Sequence, residues 1–98
     1  MIVIDASADW CALCHEIDNA VFKKPEGIAA MQNVVAMTID QSAGVDPKYV
    51  ELTNKTFNIK GLPHVEFFKP GGQSVKVVTG FDQLDTPAKL KDYLALAK

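Results

Sequence analysis

Apolar positions along the chain fall into short blocks with two different periods. Ile2 to Ala6 is an apolar run broken only by Asp5, the pattern of a buried strand. Cys14, Ile17 and Val21 then recur at helical spacing, which predicts a helix over about 11–22. Lys24-Pro25 marks a break, and 25–31 reads as a second, short helix. Val34 to Ile39 (VVAMTI) reads as a strand. Asp46 before Pro47 is an N-cap followed by proline at the first helical position, opening a helix to about Phe57. Gly61-Leu62-Pro63 is a turn and Val65 to Phe68 a strand. Lys69-Pro70-Gly71-Gly72 is a hairpin turn into a partner strand over 74–79. Thr86-Pro87 caps a last helix that sets Leu90, Tyr93, Leu94 and Ala97 on one face.

The order is therefore β-α-β-α-β-β-α. Strands alternating with helices imply parallel pairing, and the closing hairpin adds an antiparallel strand. The predicted fold class is α/β, a mixed four-stranded sheet flanked by helices. The 98 residues fit one domain, 1–98, with no room for a second.

Composition narrows the function classes. Hydrophobic residues are 48% and charged residues 22%, which is globular rather than disordered. The net charge is −2, and all ten basic residues are Lys. Without the bidentate guanidinium of Arg, a nucleic-acid partner is not expected. No apolar run approaches 18 residues, and the first residues, Met1 to Asp5, lack the basic start of a signal peptide.

The two cysteines, Cys11 and Cys14, stand at one locus, too few for a disulfide scaffold or a zinc site of four cysteines. Cys11-Ala12-Leu13-Cys14 follows a strand and opens a helix. Free N–H groups and the helix dipole at that end favour a thiolate on Cys11, while Cys14, one turn in, faces the core. Such asymmetry suits a dithiol exchanger: Cys11 attacks a partner disulfide, and Cys14 resolves the mixed disulfide. No metal and no cofactor beyond a redox-active Cys11–Cys14 disulfide is then needed. Cys11 to His15 also spells C-x-x-C-H, the attachment pattern of c-type haem. That alternative leaves the strand-like segments unexplained, and the three Met, at 1, 31 and 37, supply no ligand well downstream. A structural or metal-binding role for the pair is a further alternative. His15 is expected on the exposed side of the first helical turn.

Asp5 is the second informative residue. An acid inside a buried strand is costly unless paired or protonated. Two readings stand: an edge position with its carboxylate in water, or a buried carboxyl beneath Cys14 that takes the resolving thiol's proton. Asp18, four residues after Cys14, either adds negative potential near the dithiol or lies on a solvated face. Asp9 either caps the helix or stays exposed. Trp10 either shields the dithiol and offers partner contact or simply packs. The segment Val65-Glu66-Phe67-Phe68 reads as core and hairpin packing.

Asp5, Ala8-Asp9-Trp10-Cys11-x-x-Cys14 and Gly61-Leu62-Pro63 together resemble the thioredoxin superfamily. Residues 8–16, Phe67-Phe68 and Thr79-Gly80-Phe81 are similar to the C-terminal thioredoxin-like domains of the DsbD thiol:disulfide interchange family. The resemblance runs from about Ile2 to Leu94. It implies that Cys11 is the nucleophile, Cys14 the resolving thiol, Asp5 the buried acid and Asp18 an acid near the active site. It also implies that Pro63 is a cis-proline beside which a partner backbone docks, with Leu62 and Trp10 in the contact. The implied partners are protein thiols and disulfides, with a membrane-embedded domain as electron source and an N-terminal periplasmic domain as acceptor. The implied setting is the periplasm, as an excised domain of an inner-membrane protein, and the domain is expected to be monomeric. A stand-alone thioredoxin-like protein or an oxidase is the nearest alternative. Ser7, His15 and His64 depart from the usual aromatic, Lys and Thr. Full thioredoxins begin with a strand and helix that have no counterpart here, so 34–39 is expected to be an open edge.

Overall fold

Strand β1 (Ile2–Ser7) lies between two neighbours, in keeping with its apolar run. It pairs in parallel with β2 (Val35–Asp40) and antiparallel with β3 (His64–Phe68), which pairs antiparallel with β4 (Ser74–Val78). The computed structural model, which describes residues 1–98, thus holds one mixed four-stranded sheet in the order β2-β1-β3-β4.

Helix α1 (Ala12–Ile17) follows β1 and widens into a π-helical turn over Asp18–Phe22. The single helix expected over 11–22 is therefore two geometries end to end. Helix α2 (Pro25–Ala30) starts with proline where no N–H is needed. It packs so closely on the π turn that Gly27 leaves no space for a Cβ beside the Val21 carbonyl. Helix α3 (Pro47–Phe57) is capped by the Asp46 carboxylate, which accepts from Lys48 N at 2.9 Å. It ends at Asn58 in the left-handed region, φ 53°. The hairpin between β3 and β4 turns on Gly71 and Gly72 at φ 99° and 97°, values that residues with a Cβ rarely adopt. A 3-10 turn (Phe81–Gln83) leads to α4 (Pro87–Leu96), capped by Thr86.

Each face of the sheet has its own core. Val3, Val65, Phe67 and Val78 meet Ile17, Val21, Leu90 and Leu94 on the side of α1 and α4. Ile4, Ala6, Ile39 and Ile59 meet Phe57 and Leu62 on the other. Each fully buried side chain of this size contributes roughly 1.5–3 kcal/mol. The largest, Phe67, also meets Tyr93 edge-on at 5.5 Å between ring centres. The face of α4 is as expected, with Leu90, Leu94 and Ala97 buried and Tyr93 half-buried.

The outer edge of β2 carries no further strand, as expected. Val35 and Met37 are 60% and 49% exposed at this edge, whereas Ile39, further along the same face, is buried with Ile4 and Ala6. Asp5, by contrast, is not at an edge: its ladder partners are Thr38 on β2 and Val65 on β3.

Candidate active site

The two cysteines form a disulfide with their Cα atoms 5.3 Å apart, at the junction of β1 and α1. The loop Ala8–Cys11 is a turn closed by Cys11 N donating to Ala8 O at 3.1 Å. Cys11 is the N-cap of α1, with extended backbone, and its Sγ accepts from Cys14 N at 3.2 Å. Asp9 therefore does not cap the helix; it is exposed, and its backbone N–H donates to Ser42 Oγ at 2.8 Å. The reason is register: the helix begins one residue after Cys11, so the sulfur occupies the capping position.

The loop is anchored on one side by the segment after β2. Trp10 Nε1 donates to Gln41 O at 3.3 Å, and Gln41 Nε2 donates to Asn54 Oδ1 of α3 at 2.7 Å. His15 lies on the exposed side, as expected, with Nε2 3.0 Å from Asp9 O.

The sulfurs are covered while their surroundings are not. Cys11 and Cys14 are each 6% exposed, whereas Trp10 and Leu13 beside them are 63% and 45% exposed. Leu62 packs on the cluster of Ala8, Cys11 and Cys14, and the peptide bond it forms with the buried Pro63 is cis. The disulfide thus sits in an apolar collar. Leu13 in that collar escaped the sequence reading, since a residue between two cysteines carries no periodic signal.

Asp5 and Asp18 line one cavity of about 330 Å³, walled by Val3, Phe22, Ile28, Met31 and Met37. Burial pushes the Asp5 carboxyl up from 3.8 to about 6, and the nearby Asp18 charge adds to the effect. Asp18 is partly exposed and reaches Lys23 Nζ at 3.3 Å. Two acids are thus brought together, and the one on the inner strand keeps its proton to a higher pH than a free carboxyl does.

A further pair was not anticipated. His64 and Glu66 are 4% and 8% exposed, with His64 Nε2 donating to Glu66 Oε1 at 3.0 Å. The signal was present, because residues two apart on a strand share a face. The apolar context of the segment concealed it.

The thioredoxin-like domain family matches residues 1–97, essentially the whole chain. The chain belongs to that family. This thioredoxin-like domain is similar to the thiol:disulfide interchange protein DsbD of Klebsiella pneumoniae, 34% identical over 97 residues. That alignment covers 96% of the chain but only 16% of the relative, so the chain spans about a sixth of the length of such relatives. Its fold is that of the DsbD C-terminal domain of Neisseria meningitidis in the oxidised form. The TM-score is 0.77 at 24% identity, covering 99% of this chain and 79% of that one. A thioredoxin from Thermus thermophilus also matches, with a TM-score of 0.70 at 16% identity over 97% of this chain and 72% of that one. The haem-attachment alternative presupposed a helical cytochrome; the domain builds a four-stranded sheet instead. No helix is long and apolar enough to cross a membrane.

Proposed function

We propose that this domain is a thiol:disulfide oxidoreductase that reduces partner disulfides through Cys11 and Cys14. One observation carries the reading: the disulfide lies at the start of α1, with Cys11 Sγ accepting the Cys14 N–H, inside an apolar collar open to a partner. In the reduced state the Cys11 thiolate attacks one sulfur of a partner disulfide. The other partner sulfur leaves as a thiol, taking a proton. Cys14 then attacks Cys11 Sγ, the mixed disulfide breaks, and the second partner sulfur leaves. Two electrons pass to the partner, and Cys11–Cys14 is left oxidised.

Asp5 is the acceptor of the Cys14 proton in this scheme. A carboxyl titrating at about 6 can take and return a proton near neutral pH. Asp18 sets the potential around it. Trp10, Leu13, Leu62 and Pro63 form the surface on which an extended partner segment lies.

The likeness to DsbD supports a finer assignment: a periplasmic domain of a longer inner-membrane protein, acting as a monomer. Its electron source would be a membrane-embedded domain and its acceptor an N-terminal periplasmic domain of the same protein. The test is equilibration with reduced and oxidised glutathione, followed by Trp10 fluorescence. The reading expects one two-electron transition, lost in Cys11→Ser. A wild-type dithiol that never equilibrates would contradict it.

A further inference from the structure

A second cavity, of about 250 Å³, opens beside the Leu62–Pro63 loop and contains neither cysteine. Its walls include Asn58, Lys60, Leu62, His64, Val77 and Thr79. A cavity of that volume has room for one side chain. Its polar walls are rich in donors: an ammonium, an amide and a hydroxyl, with no carboxylate among the lining residues. Lys60 is exposed and takes part in none of the ion pairs of the chain. The Glu66 carboxylate, two residues along β3 from His64, is engaged by His64 Nε2 at 3.0 Å. The charge left without a counterpart is therefore positive.

Leu62 links this cavity to the sulfurs. It lines the cavity and also packs on the cluster of Cys11 and Cys14. An extended polypeptide joined through sulfur to Cys11 advances about 3.3 Å per residue, so residues flanking its cysteine can reach as far as Leu62 and the cavity beside it.

We propose that this cavity is a specificity subsite for the carboxylate side chain of an Asp or Glu flanking the partner's cysteine. The proposal rests on the exchange reading above. Lys60 supplies the charge, Asn58 and Thr79 the hydrogen bonds, and His64, fixed by Glu66, the floor. An apolar occupant would strip water from these donors and return no hydrogen bond. A cationic occupant would face Lys60. The chain's net charge is −2, so a preference for an acidic partner cannot arise from long-range attraction.

The test uses two peptide disulfides that differ only in carrying Glu or Gln next to the cysteine. Each is mixed with the reduced domain, and oxidation is followed by the fluorescence of Trp10, the single Trp of the chain. The half-saturating concentration should be about fivefold lower for the Glu peptide, the upper range for one partly exposed ion pair, with the same limiting rate. In Lys60→Gln the ratio between the peptides should fall to about one, and added salt should reduce it in the wild type. Equal half-saturation by both peptides in the wild type, or a preference that survives Lys60→Gln, overturns the subsite and leaves the exchange reading intact. Failure of both peptides to oxidise the dithiol overturns the exchange reading and the subsite with it.

Discussion

Cys11 Sγ accepts the backbone N–H of Cys14 at 3.2 Å, so the sulfur that caps α1 is one of the two that form the disulfide. On reduction the same N–H and the other free amides of the first turn face a thiol whose charged form they favour. In the proposed scheme Asp5 and Asp18 act in the opposite sense, as charges that repel a thiolate.

The balance is measurable. Asp5→Asn and Asp18→Asn should each lower the Cys11 pKa relative to the wild type, read from thiolate absorbance. Unchanged titration in both variants would show that the carboxylates do not act on the dithiol. Asp5→Asn should in addition slow the resolving step, because Cys14 loses its proton acceptor.

Asp5 also predicts how stability depends on pH. Its carboxyl titrates at about 6 in the folded chain against 3.8 as a free side chain. Between these values the folded chain binds more protons than the unfolded one, so stability falls as pH rises through the window. The full difference is worth about 3 kcal/mol above pH 6. Asp5→Asn should therefore be more stable than the wild type at pH 8, by up to that amount, and nearly equal to it below pH 4. Denaturant unfolding at the two pH values checks this; an equal difference at both would refute it.

Gly27 is where a helix rests on a backbone carbonyl. Alanine would favour the helix by up to about 1 kcal/mol on propensity alone. Its Cβ, however, would collide with the Val21 carbonyl, which is main chain and cannot swing away. Overpacking of this kind costs typically 1–3 kcal/mol or more, so Gly27→Ala should lower stability on balance. A denaturation midpoint at or above that of the wild type would be the contrary result.

The His64–Glu66 pair yields a double-variant test. Glu66→Ala leaves a buried imidazole without its partner, a loss of about 1–3 kcal/mol. His64→Leu combined with Glu66→Leu removes both polar groups and should recover most of it, because apolar replacement of a buried pair is often neutral. If the double variant is less stable than Glu66→Ala alone, the pair does more than satisfy itself.

Periodicity and punctuation carried most of the fold. The proline at the start of each of the helices at 25, 47 and 87 and the Gly71-Gly72 turn act through backbone geometry, which a sequence displays directly. The π-helical turn at 18–22 was not legible, since it depends on the approach of α2 at Gly27, a tertiary contact. At the site, the position of Cys11 at a helix start followed from strand-then-helix order. Asp5 is open to two readings in the sequence because its exposure depends on which strands flank β1, and ladder order is set by the whole chain. The apolar collar and the Lys60 cavity depend on loops meeting across the sheet and leave no local pattern.

In the proposed exchange Cys11 attacks and Cys14 resolves, and trapping separates the two roles. Reduced Cys14→Ser and Cys11→Ser are each incubated with the same peptide disulfide, and the adducts are counted by mass. A mixed disulfide should form at Cys11 in Cys14→Ser and essentially none in Cys11→Ser, where the remaining thiol lies inside α1 and not at its N-cap. Equal trapping by the two variants, or trapping by Cys11→Ser alone, would contradict it.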